Sequence, residues 1–213
     1  MTGFDRARIE AAVAEILAAI GEDPSRPGLT DTPSRVADAY AEFFSGVGVD
    51  ARGQLGEPVP LEGARAETVI LRDIAFRSVC EHHLLPFLGV AHVAYLPGEA
   101  VIGLGRIPRV IETLSSRPQL QERLTEQIAD TIEDGAQARG VLVVLDAAHE
   151  CVTTRGARQT RATTVTIAAR GAFTEPASRA ELIALMTPTF VPDVDSRERK
   201  RDIRAESVTG ESA

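Results

Sequence analysis

Residues 67–83 read ETVILRDIAFRSVCEHH, so an apolar run leads directly into a cluster of possible metal ligands. The apolar part is rich in Val, Ile, Leu and Phe, which favours a β-strand. The cluster Cys80-Glu-His-His83 places a thiol and an imidazole at C-x-x-H spacing, which is typical of zinc ligands. A second cluster, His149-Glu-Cys151, follows the apolar run at residues 141–145. Because each cluster follows a strand, we expect a metal site at the rim of a β-sheet.

The two clusters contain both cysteines and three of the four histidines in the chain. A Zn²⁺ ion bound by Cys80, His83 and Cys151 would have three protein ligands and a fourth position for water, which is typical of catalytic zinc. His82 and His149 would then lie beside the metal, where imidazoles can exchange protons near neutral pH. Two other interpretations stay open: cysteines that only pack in the core, and a disulfide between them.

The composition argues against several classes of function. A formal net charge of −8 argues against non-specific nucleic-acid binding, although it leaves room for a basic pocket that binds an anionic small molecule. No apolar run approaches the length of a membrane span, so no membrane partner is expected. The N-terminus is polar and shows no secretory signal, which predicts a cytoplasmic protein and disfavours the disulfide.

The apolar pattern divides the chain into three predicted parts. They are an N-terminal helical region with a linker, a catalytic domain and a polar C-terminal tail, at residues 1–66, 67–187 and 188–213. In the first part, helical periodicity covers residues 5–20. A second helix is predicted with Thr32 as its N-cap and Pro33 at its first position, and it ends near Gly46. The Gly- and Pro-rich residues 47–66 are predicted to be a linker.

The second part alternates between strand and helix signals. Two strands, two helices, two further strands and a last helix are predicted, at residues 67–80, 90–96, 107–115, 119–139, 141–145, 162–167 and 175–186. This order favours an α+β fold with the helices on one face of a sheet. Four strands leave exposed edges, which are often closed by oligomerisation, so a homo-oligomer is expected.

Five segments that include both clusters resemble the GTP cyclohydrolase I family. They read SVCEHH, VIGL, RPQLQERLT, DAAHEC and RG, at residues 78–83, 101–104, 117–125, 146–151 and 155–156. The resemblance keeps the family's order and spacing over about residues 9–173, which is more specific than any single motif. It implies the tunnelling (T-) fold, an antiparallel sheet with helices on one face that oligomerises into a barrel. It also implies a homodecamer whose active sites lie between subunits.

The resemblance further implies an enzyme of known chemistry. The implied reaction is zinc-dependent hydrolysis of GTP at C8, with release of formate and recyclisation to 7,8-dihydroneopterin triphosphate, which starts folate or other pterin pathways. Cys80, His83 and Cys151 match the zinc ligands of the family. His149 matches its principal proton donor at the purine, and His82 matches a second acid–base residue.

Other positions match the family's contacts with GTP. Glu122 matches the carboxylate that anchors the guanine ring, since a carboxylate can accept from the N1–H and 2-amino edge that adenine lacks. Gln121 is similar to a second residue of that pocket. Arginine binds phosphate through paired N–H groups, and the residues that resemble triphosphate contacts are Arg35, Arg106, Arg109 and Arg155. Without the resemblance, Glu122 would be interpreted as a solvated residue on a helix face.

Three residues near these positions depart from the family pattern. Gly105 and Arg106 stand where the family has Ser and Lys, and Glu150 stands where it more often has an apolar or aromatic residue. These differences keep two other interpretations open. One is a diverged paralogue that acts on another purine nucleotide or stops at the ring-opened formamide. The other is a non-catalytic, zinc-stabilised oligomer that binds nucleotides.

Overall fold

The N-terminal part of the protein is a pair of helices, as predicted. The computed structural model describes residues 3–63 and 67–186, so the predicted tail at 188–213 lies outside the described residues. The two helices are α1 (Arg6–Ala19) and α2 (Thr32–Phe43). Helix α1 begins at the cap residue Asp5, whose carboxylate accepts a hydrogen bond from a backbone N–H in the first turn.

The start of α2 differs from the prediction by one residue. Asp31, not Thr32, is the N-cap, and the carbonyl of Asp31 accepts a hydrogen bond from the N–H of Arg35. The N–H of Thr32 donates to the carbonyl of Leu29, so the preceding turn already holds Thr32 in the helix. Pro33 then lies in the first turn, where its missing N–H costs no helical hydrogen bond.

The described residues after α2 combine strands and helices. In chain order these elements are β1 (Val59–Pro60), β2 (Val69–Cys80), β3 (Pro86–Leu96), β4 (Ala100–Val101), α3 (Arg106–Ser115), β5 (Pro118–Gln119), α4 (Gln121–Ala136), β6 (Gly140–His149), α5 (Glu150–Thr153), β7 (Thr164–Gly171) and α6 (Pro176–Met186). Five of the strands form one sheet in the order β5-β2-β3-β6-β7. Its neighbouring strands are antiparallel, except for the short parallel pair of β2 with β5. The predicted long strands are confirmed, whereas β5 is too short for periodicity to predict it.

The predicted linker contains secondary structure. A 3₁₀ helix at Ala51–Gln54 and the strand β1 lie within it, and β1 pairs with β4. Leu55 is buried in the core against Gly135, where an added Cβ would lie only 2.2 Å from the Cδ1 atom of Leu55. The segment is rich in Gly and Pro, but it forms an anchored turn, because the side chain of Leu55 is buried in the core.

The two faces of the sheet are covered differently. Helices α3 and α4 pack on one face, where they share an aliphatic core with Val143 of β6. The neighbouring residue Val144 points to the other face, which is covered in part by Leu182 and Met186 of α6. Side chains alternate across a strand, and this alternation produces the division. The expectation that all helices lie on one face is therefore confirmed for α3 and α4 and wrong for α6.

Strand β6 extends beyond its predicted apolar run and so positions the site. It continues through Asp146, which carries no strand signal, because each residue of the segment pairs with β3. The last pair joins His149 to Phe87. His149 therefore reaches the same rim of the sheet as Cys80, the last residue of β2.

The architecture is α+β, in agreement with the sequence. The division of the chain into three parts stays a prediction, as does the closure of the sheet into a barrel. Within residues 3–63 and 67–186, every helix is too short or too polar to cross a membrane.

Candidate metal centre and active site

The three expected metal ligands lie together at the rim of the sheet. Cys80 ends β2, His83 is in the following turn, and Cys151 is in α5. One ligand atom from each residue, a cysteine Sγ or an imidazole nitrogen, lies within 4.8 Å of the other two. Both cysteines are free thiols, so they form no disulfide. Two thiols and an imidazole are a donor set that suits Zn²⁺.

The charges around the two thiols also fit a bound cation. Burial raises the pKa of the Cys151 thiol, and the neighbouring Cys80 sulfur raises it further, whereas Arg155 lowers it. Two thiolates this close repel each other, so a divalent cation would stabilise the state in which both are deprotonated. This favours a metal ion over cysteines that only pack in the core.

The ligand loop (residues 80–85) is a tight turn between β2 and β3. The N–H of Cys80 donates to the carbonyl of Leu85, and the N–H of Leu84 donates to the carbonyl of Cys80. The turn requires a left-handed backbone at Leu84, whose φ is +51°. His82 and His83 lie at its exposed tip with their rings nearly perpendicular and 6.3 Å apart. His83 joins the ligand group, and His82 stays open to solvent.

His149 lies in a more enclosed environment than the loop histidines. Its ring stacks on the ring of Phe87, with centroids 4.5 Å apart and planes within 5°. Its Nε2 atom lies 2.7 Å from Oε1 of Gln121. Burial lowers the pKa of His149, and the nearby carboxylate of Glu122 raises it in part. The net effect favours the neutral imidazole.

Gln121 fixes the orientation of the His149 ring. Its side-chain nitrogen lies 3.2 Å from the carbonyl of Leu145, 2.8 Å from that of Thr164 and 3.1 Å from Oγ1 of Thr166. Because the amide nitrogen faces these acceptors, Oε1 is left to accept from His149, whose Nε2 therefore carries a proton. Gln121 is 1% exposed, so the structure places it behind His149 rather than at an open surface.

Glu122 follows in the first turn of α4 and is exposed. Its carboxylate is close enough to His149 to raise the pKa of the imidazole. It makes no hydrogen bond or ion pair to another described residue. The carboxylate is therefore free to accept hydrogen bonds from a ligand.

The four expected phosphate ligands are spread over the chain. Arg155 follows α5 and lies near enough to Cys151 to lower the pKa of its thiol. Arg106 begins α3, and its guanidinium lies against Gly56, where an added Cβ would be 2.9 Å from Cζ. Arg109, later in α3, lines an open cavity of about 410 Å³. Arg35 lies on α2 and pairs with Asp31 at 3.1 Å. The structure thus brings Arg155 to the metal centre but leaves Arg35 on the N-terminal helices.

Two features of the site have no local sequence signal. Phe87 stacks on His149 only because the register of β3 with β6 makes them opposite residues. Glu81 accepts a hydrogen bond from Arg123, a residue 42 positions away in the chain. Patterns of spacing along the sequence cannot reveal such contacts.

Comparisons with known proteins agree with this geometry. The family model of GTP cyclohydrolase I matches residues 9–187. The GTP cyclohydrolase 1 of Leifsonia xyli subsp. xyli is 82% identical over 87% of this chain and 97% of its own length. That of Rhodopirellula baltica is 52% identical over 85% of this chain and 79% of its own. That of Caldanaerobacter subterraneus subsp. tengcongensis is 50% identical over 86% and 97%.

A solved structure shows a fainter likeness. The archaeosine synthase QueF-Like in its apo form aligns with 51% of this chain and 96% of its own, at 14% identity and a TM-score of 0.37. That likeness is too weak to add evidence on the fold. The family match, in contrast, spans both ligand clusters and the residues between them. This chain therefore belongs to the GTP cyclohydrolase I family.

Proposed function

We propose that this protein is a zinc-dependent GTP cyclohydrolase I. It hydrolyses GTP at C8, releases formate and recyclises the product to 7,8-dihydroneopterin triphosphate. The observation that supports this most directly is the convergence of Cys80, His83 and Cys151 within 4.8 Å, beside a half-buried histidine. These three residues would hold the zinc. When bound, Zn²⁺ supplies a water with its pKa lowered to about 7 as the nucleophile for C8.

His149 is the residue that moves a proton at the purine. Its Nε2 atom is hydrogen-bonded to Gln121, so Nδ1 is the ring atom that takes up and returns a proton. The stack on Phe87 keeps the ring in this orientation. We assign Gln121 to the positioning of His149, in place of the direct contact with guanine that the resemblance implied. His82, at the exposed tip of the ligand loop, is the second acid–base residue.

Glu122 selects the base. Its free carboxylate accepts from the N1–H and 2-amino group of guanine, a pair of donors that adenine lacks. Because Glu122 also lies near His149, recognition of the base places the purine beside the proton-transfer group. Recognition of guanine and proton transfer therefore both take place beside the first turn of α4.

The triphosphate is bound by arginines that we place in more than one subunit. Arg155 belongs to the metal centre of its own chain, whereas Arg35 lies on the N-terminal helices. Strand β7 ends the sheet, and its residues Val165 and Ile167 are 55% and 45% exposed. An exposed apolar edge of this kind favours pairing with another copy. This supports a T-fold barrel and a homodecamer with active sites between subunits.

Turnover of GTP by the purified, zinc-analysed protein tests the proposal. Formate and the absorbance of the pterin product are measured together. We expect both in equal amounts. Formate alone would mean ring opening without cyclisation, and neither signal with zinc bound would contradict the proposal. The variant His149→Ala is the control, because it removes the proton-transfer group and keeps the metal ligands.

The start of α3 supports a second candidate, an enzyme adapted to another purine nucleotide. Gly105 caps this helix with no side-chain hydrogen bond, although an added Cβ would meet nothing within 4 Å. The double change Gly105→Ser and Arg106→Lys therefore fits the structure and restores the family pattern. A hydroxyl that binds phosphate would lower the KM for GTP about two- to tenfold. An unchanged or higher KM, with Gly105→Ala as the control, would favour the second candidate and a panel of nucleotides would identify its substrate.

A further inference from the structure

The first turn of α4 is connected to both metal-ligand segments. Gln121 bonds to His149, while Arg123 donates a hydrogen bond to the carboxylate of Glu81 in the ligand loop. Glu122 lies between them in the chain. We propose that Glu81 and Arg123 are a positioning pair, which holds the ligand loop in register with the guanine-binding end of α4. The part of this role that concerns catalysis rests on the proposed function.

The ligand loop has few other attachments. The N–H of Glu81 donates to the carbonyl of Gln119 at 3.0 Å, and Cys80 pairs with Gln119 in the short parallel ladder of β2 with β5. Among the described loop residues that are not metal ligands, Glu81 is the one whose side chain bonds outside the loop. Glu81 is therefore the side-chain link between the turn of His82 and His83 and helix α4.

The partner Arg123 is itself held in place from behind. Its Nε donates to Oε1 of Gln119 at 3.1 Å. Gln119 is 2% exposed, and its amide donates to the carbonyl of Leu114 at 2.8 Å and to Oε1 of Gln127 at 2.9 Å. A buried amide thus orients the guanidinium before it meets Glu81. This chain of hydrogen bonds distinguishes the pair from two surface charges that happen to be close.

Exposure indicates that the pair acts on alignment rather than on stability. The side chains of Arg123 and Glu81 are 43% and 31% exposed, and ion pairs this open to water contribute little to the free energy of folding. Glu81 follows the ligand Cys80 directly, and Arg123 follows Glu122. Residues that orient metal ligands from outside typically change metal affinity or activity by about 10–100-fold when they are lost.

Competition for zinc tests the pair independently of turnover. The zinc-loaded full chain and the variants Glu81→Gln, Arg123→Gln and the double variant are equilibrated with a chromogenic zinc chelator. We expect each single change to weaken zinc binding about tenfold, and the double change to weaken it no further, because either loss frees the loop. Single variants that bind zinc as tightly as the wild type, or losses that add in the double variant, would overturn the proposal.

Turnover at saturating zinc gives the second readout. We expect kcat for formate release to fall about tenfold in each variant while the KM for GTP stays within about twofold, since Glu122 remains on the helix. Arg123→Lys, which keeps the charge but not the paired N–H groups, should fall between the wild type and Arg123→Gln. A kcat that returns to the wild-type value once zinc is saturating would overturn the alignment role.

A matched pair at the other end of α4 provides the control. Arg52 and Asp134 form a comparable exposed ion pair, with 59% and 53% of their side chains accessible. Arg52→Gln should leave zinc binding and kcat unchanged. If the wild type releases no formate from GTP while the zinc results follow the expected pattern, the proposed function fails and the positioning pair stands. If the wild type releases formate from GTP and the variants of the pair change neither zinc binding nor kcat, the positioning pair fails and the proposed function stands.

Discussion

The two segments that carry the proposed metal ligands are held by the protein in different ways. The ligand loop is an exposed turn, with His82 and His83 open to solvent and one ion pair to α4. The segment of His149 and Cys151 is half-buried, and the His149 ring lies between Phe87 and the buried Gln121. The difference indicates that the two segments have different roles. The enclosed segment holds His149, the proposed proton-transfer group, while we expect the placement of the exposed loop to depend on a bound metal and on its ion pair.

Removal of a thiol should have the largest effect, and it should be equally severe in both segments. Cys80→Ser and Cys151→Ser each leave two of the three protein ligands, so we expect zinc to be lost and turnover to fall below detection. Zinc content after gel filtration and formate release measure this. A Cys151→Ser protein that keeps one zinc per chain would show that the half-buried segment does not ligate the metal.

The histidines should separate the two segments. His149→Ala should lower kcat by about 10²–10⁴-fold with zinc retained, whereas His82→Ala should have a smaller effect because solvent reaches that position. Added imidazole should restore part of the activity of His82→Ala but not that of His149→Ala, since the ring of Phe87 covers one face of the His149 site. Equal rescue of both variants would contradict the difference in enclosure.

Loss of the buried amide should weaken the enclosed segment alone. Gln121→Leu removes the acceptor for His149 and leaves two strand carbonyls without their donor. We expect kcat to fall about tenfold and the free energy of unfolding to fall by about 1–3 kcal/mol. Kinetics and urea unfolding measure these changes. Thr131→Val, which alters another buried polar residue of α4, is the control and should leave kcat unchanged.

A pH effect on stability should be the smallest change, and it concerns the strand between the two segments. His92 on β3 is 4% exposed, and its Nδ1 accepts from the N–H of Asp73 at 3.2 Å. Burial lowers the pKa of His92, although the carboxylates of Asp73 and Asp146 oppose this. The unfolded chain therefore binds a proton more readily than the folded protein. Stability is fully present above about pH 6.5 and is lost as the pH falls below it.

The measurement is urea unfolding of the wild type and of His92→Gln between about pH 7.5 and about pH 5.5. We expect the wild type to lose up to about 1 kcal/mol more than the variant over this range. Part of the loss should remain in the variant, because burial lowers the pKa of His149 in the same direction. A loss of the same size in both proteins would exclude His92 as its source.

Much of the fold was predictable because its signals are local. Strands β2 and β6 contain long apolar runs, and helices α3 and α4 each carry an apolar stripe. These patterns repeat over enough residues to identify each element. The two-residue strand β5 and the anchored turn at Leu55 are too short for such signals. The N-cap of α2 lies one residue before the predicted position. A preceding turn already holds Thr32, and the sequence pattern does not show that turn.

The sequence by itself determined which side chains can serve as metal ligands in this protein. The C-x-x-H and H-x-C clusters contain the donors that zinc requires, and their spacing is readable without a structure. Only the tertiary structure decided which residues support those donors. Strand register placed Phe87 on His149, helix packing placed Gln121 behind it, and a contact across 42 residues joined Glu81 to Arg123. Ligand identity depends on side-chain type, whereas support depends on distances between segments that meet only when the chain folds.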